Sequence, residues 1–590
     1  MKISRRGVIL IIILAVAVAG AAIAYRYWPQ RPKTEMSIYV PASSMLYLEI
    51  TDVPNLLNGF TSTIAWQKLA PVLGISSQLN YLGNVGSFAA ATGMGSQEAV
   101  VLARSQVAVA LTAIEANGDE VKPQFAVIVK THSDKSQVAA IADRRVASLA
   151  RYAYGPDAQK SSSEYGGVQV ATYTKPGTGR QIVYAVVDDL ILLGNNTTSI
   201  YSCIDTALQR APSLSENADL QKTRQSLGHD AIIFAFVSSS GVSRLTQFGA
   251  YVFSQGHIVP EDLSDSVNTI TGDVASGTLG GIGYSASFDN GVVVDRYLLA
   301  LKPDVSARLS NQLKPVKSDL QVLKIAPPGV NLTVVNIDQP PQAFETLMAT
   351  VSSHVNVATS IALRQLVLFV GNNRFGLNPD QPIGPALGNE IALLGWPGDE
   401  EPAIAIEVTD QAAIAPVLHR YLQGNPKHPA FVDDQHYNGI EFFTGEDRAG
   451  AFLGRFAILG SKEQLMRLID AWKANSNLSN NAVVRNEIQS RPSQAIMESY
   501  EPNQAETADL MLKISSLLRV SDGNPEVLNR PEVHNAVQET PSLVSYTTIT
   551  EPGIYTETRS ALGRFTLLST LTGKSEEVLD TKPAASPQTK

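Results

Sequence analysis

The body of the chain shows two kinds of hydrophobic periodicity, one that predicts strands and one that predicts helices. Two short apolar segments, 182–187 and 190–193, flank Asp188-Asp189 and predict a hairpin with a tight turn. Apolar residues in 198–211 recur every three or four positions, as in a helix that buries one face. Because hairpins pair their strands antiparallel, the pattern predicts an α+β fold in which antiparallel sheets carry helices on one face.

The order of these elements occurs twice, which predicts a tandem duplication. A Pro-led strand at 40–52 has its counterpart at 326–338, and both segments end at an Asp that precedes an amphipathic helix. Three further pairs of segments follow in the same order in the two halves: Tyr165-Gly166-Gly167 with Tyr437-Asn438-Gly439, Ile204-Asp205 with Ile469-Asp470, and Leu214-Ser215 with Leu478-Ser479. Several matches in one order indicate a repeat, whereas a single match would carry no weight.

We therefore predict two α+β units, at 37–303 and 322–572, separated by a linker at 304–321. Each unit ends in a hairpin, and Asp289-Asn290-Gly291 in the first unit is the strongest short-range turn signal of the chain. The polar segment 573–590 has no apolar periodicity and predicts a disordered tail. The sequence leaves open whether the two units share one sheet.

The N-terminal segment differs from the rest of the chain in hydropathy. Three basic residues among the first six precede an uncharged apolar run at 8–24. As a helix this run rises about 25 Å, which approaches the thickness of a membrane core. Aromatic residues within 25–28 suit a membrane interface. We predict an N-terminal transmembrane helix that acts as a signal anchor over 1–28, followed by a stalk at 29–36.

Two alternatives to an uncleaved anchor stay open. Ala22-Ile23-Ala24 resembles a signal-peptide cleavage site, and cleavage there would give a mature chain that begins at Tyr25. The segment 4–9 partly resembles a twin-arginine export signal. In each case the basic start of the chain predicts that the remaining residues lie outside the cytoplasm. The membrane, contacted through 8–24, is therefore one predicted partner.

Composition restricts the function. The 590-residue chain has a formal net charge of −9 and 17% charged residues, which argues against a nucleic-acid partner and against a disordered polyelectrolyte. Its one cysteine, Cys203, excludes an internal disulfide and any multi-cysteine metal site. Cys203 falls on the apolar side of its predicted helix, so we expect a buried core residue rather than a nucleophile.

Few side chains have a spacing that suits metal or acid–base chemistry. Four candidate metal ligands lie within nine residues: His428, Asp433, Asp434 and His436. Imidazole and carboxylate suit a divalent cation, but the matching segment of the first half, 161–164, has no histidine. We therefore favour a solvated loop over a metal site. Adjacent carboxylates on a turn point apart, so we expect Asp188-Asp189 to be solvated as well.

Two Gly-containing segments superficially suggest phosphate binding. Thr572-Gly573-Lys574-Ser575 resembles the end of a P-loop, but Leu568 stands where that motif needs its first Gly. The segment 277–283 precedes a strand where a dinucleotide site needs a helix, which favours a closely packed or bulged strand. No nucleophile elbow, Ser-x-x-Lys or His-Glu-x-x-His pattern occurs. We therefore predict no catalytic, cofactor-binding or metal-binding residue and no enzymatic activity.

Two motifs carry a resemblance to a known family. The strand with the pattern Pro41-x-x-x-x-Leu46-Tyr47-Leu48 and the Leu214-Ser215 element, repeated at Leu478-Ser479, resemble an uncharacterised family of membrane-anchored bacterial proteins, a domain-of-unknown-function family similar to DUF3352. The resemblance extends over most of 37–572. It implies a bacterial extracytoplasmic protein with a single span in the cytoplasmic membrane, and it supplies no catalytic residue.

Three functions stay in competition. The predicted anchor, the duplication and the lack of catalytic motifs favour a non-enzymatic envelope scaffold or protein-binding module, with an envelope protein or the cell wall as partner. The alternatives are a carrier for an apolar or amphiphilic small ligand and an extracytoplasmic hydrolase assembled by the fold. The Gly-, Asn- and Pro-rich loop at 371–384 is a candidate binding loop, although a surface excursion accounts for it as well.

Overall fold

The computed structural model describes residues 33–51, 53–75, 98, 101, 105–117, 120–228, 230–244, 270, 272–316, 319–365, 383–396, 398–399, 401–423, 432–446, 448–489, 491–502, 505–517 and 524–563. These residues form helices and one large antiparallel sheet of 20 strands. The first ten strands are β1 (Leu46–Ile50), β2 (Gln106–Asn117), β3 (Glu120–Lys130), β4 (Gln159–Tyr165), β5 (Val168–Thr174), β6 (Gln181–Val187), β7 (Leu190–Gly194), β8 (Ile233–Ser238), β9 (Leu279–Asp289) and β10 (Val292–Leu301). The other ten are β11 (Asn331–Asn336), β12 (Leu387–Gly395), β13 (Ala403–Val408), β14 (Asp433–Tyr437), β15 (Ile440–Thr444), β16 (Ala449–Leu453), β17 (Phe456–Gly460), β18 (Ala495–Glu501), β19 (Leu543–Thr550) and β20 (Gly553–Ser560).

The two sets of ten strands have the same spatial order. The first set runs β4-β5-β6-β7-β3-β2-β1-β8-β9-β10 across the sheet. The second set repeats this order as β14-β15-β16-β17-β13-β12-β11-β18-β19-β20. β10 pairs antiparallel with β20. The two halves therefore share one sheet, a point that the sequence leaves open.

A local two-fold relation connects the halves at this pairing. Arg296 is the fifth residue of β10, and Glu557 is the fifth residue of β20. The register places these two equivalent residues directly opposite each other. If two identical chains were related by such an axis, a residue on the axis would lie opposite the same residue of the other chain. Duplication within one chain has allowed opposite charges there instead.

Helices cover both faces of the sheet, so the expectation of helices on one face is wrong. The helices with defined bounds are α1 (Val53–Thr61), α2 (Ile64–Val72), α3 (Lys135–Tyr154), α4 (Thr197–Ala207), α5 (Ala218–Leu227), α6 (Pro303–Gln312), α7 (Pro340–Ser352), α8 (Gln411–Gln423), α9 (Lys462–Lys473), α10 (Ala482–Gln489), α11 (Ala505–Leu517) and α12 (Pro531–Gln538).

Alternate residues of the same strands pack against helices on opposite faces. Ala126 and Ile128 of β3 share a core with α4 and α5, and we name this side the α4 face. Val127 and Val129 of the same strand pack on the other side against α3, which defines the α3 face. The second half has the same arrangement, with α9 and α8 in the places of α4 and α3. Because successive side chains of a strand point to opposite faces, a strand of consecutive apolar residues is buried on both faces of the sheet.

The predicted fold class is corrected in one part. It included an N-terminal transmembrane helix, but no helix among the described residues is long and apolar enough to cross a membrane. The longest described helix, α3, has 20 residues and is amphipathic, with charged residues on its outer side. The predicted span at 8–24 and the predicted tail at 573–590 lie outside the described residues.

The sequence motifs of the repeat make the same contacts in both halves. The amide N–H of Leu214 donates to the carbonyl of Val40, and that of Leu478 donates to the carbonyl of Ala326, each at 2.8 Å. The hydroxyl of Tyr165 donates to Asp205 at 2.7 Å. In the second half the hydroxyl of Tyr437 donates to Asp470 at 2.9 Å. The motifs are therefore structural contacts of the repeated unit.

The Gly-rich segment 277–283 serves close packing at its end, in agreement with the sequence-based interpretation. A β-carbon on Gly283 of β9 would lie 2.2 Å from Cγ2 of Thr223 and 2.8 Å from Cδ1 of Leu227. Both of these side chains belong to α5 and are buried. The missing side chain therefore lets α5 approach the sheet.

We expect Gly283→Ala to lower the free energy of unfolding by about 1–3 kcal/mol, because a methyl group is forced into a filled space. Denaturant unfolding of the purified chain measures this change. Adding Thr223→Ser, which removes the clashing Cγ2, should recover part of the loss. The control is Gly280→Ala on the same strand, where the nearest atom would be 3.6 Å away. Equal losses for both alanine variants would contradict the packing explanation.

The helix α6 between the two halves is held by a histidine of the second half. His354 contacts Asp304 of α6 through Nε2, and Nδ1 lies 2.7 Å from the carbonyl oxygen of Thr350. Arg308 of α6 also acts on the imidazole and opposes its protonation. The carbonyl of Thr350, followed by Asp304, nevertheless raises the pKa of His354 above its usual range. Protonation therefore strengthens this contact.

This arrangement predicts a pH-dependent stability. A histidine whose pKa is raised on folding contributes stability that is complete below about pH 6.5 and is lost as the pH rises through the folded-state pKa. We expect His354→Gln to cost about 1 kcal/mol at pH 6 and much less at pH 8, since Asp304 is largely exposed. Urea unfolding of both proteins at the two pH values tests this. A cost that does not change with pH would assign His354 a packing role only.

Candidate binding site at the junction of the two halves

The candidate metal ligands, for which the sequence favoured a solvated loop, do not form a metal-binding cluster among the described residues. Asp433, Asp434 and His436 lie on the edge strand β14, and all three are exposed. Since neighbouring residues of a strand point to opposite faces, Asp433 lies on the other face from Asp434 and His436. His428 lies outside the described residues. In the part of the chain that the structure describes, no group of three or more His, Cys, Asp or Glu residues is placed to hold a metal ion.

Cys203 and the paired aspartates have structural surroundings. Cys203 is fully buried in the core under α4, and burial raises the pKa of its thiol to about 12. Asp188 is exposed on the turn as expected. Asp189, however, is only about one-fifth exposed and forms a 2.6 Å ion pair with Lys130. The pairing of β3 with β7 brings Lys130 there, and this tertiary contact has no local sequence signal.

The remaining sequence candidates fall mainly outside the described residues. The P-loop-like Thr572-Gly573-Lys574-Ser575 and residues 371–382 of the candidate loop belong to that part. Gly384, at the end of the loop, begins a short 3-10 helix, Gly384–Ala386.

A pocket of about 310 Å³ lies on the α4 face of the second half, next to the junction. This volume is at the lower end of the range for small-molecule sites. One wall is apolar and consists of Leu320, Leu332, Val334, Tyr500 and Val544. The polar part of the lining consists of Arg491, Glu498, Ser499, Ser545, Tyr546 and Arg559.

Two arginines line the pocket at positions where the first half has leucines. Leu227 is the tenth residue from the start of α5, and Arg491 is the tenth from the start of α10. Leu298 and Arg559 are each the seventh residue of β10 and β20. In the first half the two leucines are buried in one core. A core position of the repeated unit has thus become a polar cavity in the second copy.

Each half has a buried glutamate that pairs with an arginine, but the two glutamates lie on strands that are not equivalent. In the first half Glu49 of β1 lies opposite Phe234 of β8. In the second half the apolar residue is on the first strand of the pair, since Val334 of β11 lies opposite Glu498 of β18. Each glutamate forms an ion pair with an arginine, Glu49 with Arg224 of α5 and Glu498 with Arg491, which follows α10.

Glu498 is held in a weakly solvated position. Burial raises the pKa of Glu498, the nearby Glu390 adds to this effect, and Arg491 opposes it. Glu390 has a raised pKa as well, chiefly through burial, although it accepts hydrogen bonds from the amides of Gln321 and Val322 at 2.8 and 2.9 Å. The pocket lining therefore carries one buried carboxylate, Glu498, whose ionised form is favoured by Arg491.

The carboxylate of Glu557 connects the pocket with the junction. It accepts from Nε of Arg296 at 3.0 Å, from Nε of Arg559 at 3.3 Å and from the hydroxyl of Tyr555 at 3.1 Å. Burial by itself would raise the pKa of Glu557, but hydrogen bonds, first that of Tyr546, and the charge of Arg296 lower it below its usual range. Arg559 also contacts Asp289 at 2.9 Å and is about 40% exposed at the pocket.

The lining suits the binding of a small molecule. Among the described residues that line the pocket there is no histidine, cysteine or lysine. Its two serine hydroxyls bond to neighbouring strands, Ser499 with Thr333 at 3.0 Å and Ser545 with Thr558 at 2.9 Å. Guanidinium groups beside an apolar wall suit a small ligand with an anionic group and an apolar part. A comparison of the two halves in sequence would have found Arg491 and Arg559, which we did not single out.

A second surface feature is apolar. Seven large apolar side chains of the described residues are more than about a third exposed, and four of these fall between 344 and 361. Phe344 and Leu347 are 50% and 38% exposed on α7, whereas Val357 and Ile361 are 77% and 57% exposed on the helical segment 357–365. Exposed apolar residues are usual when scattered, whereas these four fall within 18 consecutive residues of two helical segments, which makes the segments a candidate interaction surface.

Comparison with known proteins gives one match. Neither the curated proteins nor the solved structures contain a match to this chain. Residues 8–276 match a protein family that is described as "Protein of unknown function (DUF3352)". The match ends near the end of the first half, although the second half has the same strand order. The match confirms, over residues 8–276, the resemblance to a domain-of-unknown-function family.

Proposed function

We propose that this protein is a non-enzymatic scaffold that binds another protein outside the cytoplasm. The observation that carries the proposal is the single sheet through both halves, joined by the eight residue pairs of β10 and β20. A continuous sheet with cores on both faces resists bending between the halves and presents distant surfaces in a fixed geometry. Its buried carboxylates are bound by arginines and amides, as in a structural network.

The proposed location rests on the N-terminal sequence. Three basic residues followed by the uncharged run at 8–24 are typical of an export signal. Protease treatment of intact and opened cells, followed by detection of an epitope after residue 563, tests the location. Protection in intact cells and digestion after opening of the outer layers support export. Digestion only after lysis of the cytoplasmic compartment would contradict it.

The proposed partner contact is the apolar surface of Phe344, Leu347, Val357 and Ile361. Helices that bind anionic membranes are rich in Lys and Arg. The helix α7 contains neither, and Glu345 lies beside Phe344. A protein with a complementary apolar surface is therefore favoured over a lipid headgroup layer.

A photo-crosslinking residue at Val357 in the full-length protein, expressed in its own cells, tests this contact. We expect a discrete cross-linked product that disappears with Phe344→Asp. The matched control carries the crosslinker at Lys222, an exposed residue of α5 in the other half. Equal products at both positions, or none at Val357, would contradict the proposal.

A second function is favoured by the pocket. Arg491 and Arg559, whose equivalents in the first half are core leucines, give the pocket of the second half two guanidinium groups beside an apolar wall. We propose a short amphiphilic carboxylate as ligand class. Native mass spectrometry with octanoate, and with octan-1-ol as the uncharged control, measures it.

The pair Arg491→Gln/Glu498→Gln keeps a hydrogen bond but removes both charges. We expect the affinity of this variant for octanoate to fall at least tenfold more than the affinity of the exposed-site control Arg485→Gln. If octan-1-ol bound as tightly as octanoate, or if both variants bound octanoate equally, the pocket would be rejected as a carboxylate site.

A further inference from the structure

The sheet ends in two edge strands that the duplication makes equivalent, β4 and β14. Among the described residues, β4 pairs only with β5, through seven residue pairs without a bulge. All of its residues from Gln159 to Glu164 are exposed. An edge strand offers unpaired backbone groups to another strand, and proteins usually protect it with proline, a bulge or charge. β4 has neither a proline nor a bulge.

The other edge is protected by its charge. β14 has five residues, among which Asp433 and Asp434 are adjacent and lysine and arginine are absent. A second β14 brought to this edge would add two further negative charges and no cationic partner at neutral pH. The two equivalent edges have therefore diverged, one toward exclusion of a partner strand and the other not.

The sequence of β4 is self-complementary in an antiparallel register. In an edge strand, every second residue directs its backbone N–H and C=O away from the sheet. Two identical edge strands can therefore pair only in registers that place such residues opposite each other. The one register that pairs all seven residues has Ser162 on its two-fold axis. It places Lys160 opposite Glu164 of the second copy, Ser161 opposite Ser163, and Gln159 opposite Tyr165.

The two charged residues lie on the same face of the strand. Nζ of Lys160 contacts Asp143 of α3 and lies 5.6 Å from the ring centroid of Tyr173, which fixes it on the α3 face. Glu164, four residues later, points to the same face because the period of a strand is two. Each two-fold pairing therefore forms two Lys–Glu contacts around three serines, whose small side chains allow close approach.

We propose that β4 binds β4 of a second copy of this chain in an antiparallel pairing centred on Ser162, so that one sheet continues through both copies. The same device joins the halves within the chain. There β10 and β20 pair antiparallel about a local two-fold axis with Arg296 opposite Glu557. The proposal is independent of the partner and ligand proposed above.

Oxidative cross-linking tests the position. Ser162→Cys in the full-length protein, purified in mild detergent, should form a covalent dimer under gentle oxidation, because residues on the axis lie directly opposite each other. The native Cys203 is buried and does not interfere. Gln435→Cys, at the centre of β14, is the matched control. A dimer of equal yield with both variants, or none with Ser162→Cys, would overturn the proposal.

A charge exchange tests the register. In the Ser162→Cys background, Lys160→Glu places glutamates opposite glutamates, and Glu164→Lys places lysines opposite lysines. We expect each variant by itself to lose at least four-fifths of the covalent dimer. A mixture of the two, distinguished by mass tags, should recover it as the mixed dimer. Dimer in either single variant at the parental level, or no recovery on mixing, overturns the register.

An alternative assembly gives a different product. Pairing of β4 with β14 of another copy would not close and would produce chains of increasing length. It would appear as a cross-link between Ser162→Cys and Gln435→Cys proteins in a mixture, together with higher oligomers by light scattering. That result would also overturn the two-fold pairing.

Discussion

Replacement of Arg224 by methionine is expected to lower the free energy of unfolding by about 3–5 kcal/mol, the typical loss when a buried ion pair is left with one charge. The side chain of Glu49 is only 1% exposed and contacts Arg224 at 2.8 Å. The hydroxyl of Tyr47 donates to the same carboxylate at 2.8 Å. One neutral donor cannot compensate a carboxylate in this buried position.

Urea unfolding at pH 7 measures this loss, with Lys222→Met as the control. Lys222 lies on the same helix and is exposed, so we expect a change within about 0.5 kcal/mol. The double variant Glu49→Gln/Arg224→Met should recover most of the stability, because no charge then remains buried. A double variant that is less stable than Arg224→Met would show that the glutamate contributes through packing or other contacts.

Replacement of Glu557 by glutamine is expected to cost about 2–3 kcal/mol at pH 7. The carboxylate accepts hydrogen bonds from two arginines and a tyrosine at the pairing of the two halves. Arg296 is about a quarter exposed, so solvent compensates part of the loss. Arg559 keeps its contact with Asp289, which limits the effect further.

The pH dependence distinguishes this charge effect from a packing defect. Because folding lowers the pKa of Glu557, the stability that it contributes is present above the unfolded value of about 4.3 and is lost as the pH falls through the folded-state pKa. We therefore expect the difference between wild type and Glu557→Gln to shrink between pH 5 and pH 3. A constant difference over this range, measured by urea unfolding, would exclude the charge explanation.

The two glutamate–arginine pairs show how a duplicated unit diverges at one place. Both halves retain a buried carboxylate beneath an arginine, yet the glutamate has moved from one strand of a cross-strand pair to the other. In the first half Leu227 and Leu298 fill the core beside this pair, and in the second half Arg491 and Arg559 line a pocket. Function in the second copy is therefore expected where its core departs from that of the first.

The sequence by itself determined the elements and their repetition. Local signals were sufficient for the hairpin at Asp188-Asp189, for the buried helix of Cys203 and for the close packing at Gly283, because turn chemistry and hydrophobic period act over a few residues. The Tyr-Gly and Leu-Ser motifs also indicated the repeat correctly, since each makes one contact within its own unit. Recognition of the family depended on the Leu-Ser motif and on the strand pattern that begins at Pro41.

Only the tertiary structure decided how these elements combine. The single sheet depends on the pairing of β10 with β20, two strands more than 250 residues apart, and no local pattern encodes such a contact. Helices cover both faces of the sheet because its strands are apolar on both sides. A short apolar run in the sequence does not show whether a strand buries one face or both. The pocket is lined by side chains of four strands, β11, β18, β19 and β20, together with Leu320 and Arg491. Its polar character is evident when each lining residue is compared with its equivalent in the first half, because an arginine at a position that is buried there makes a polar site in an apolar core.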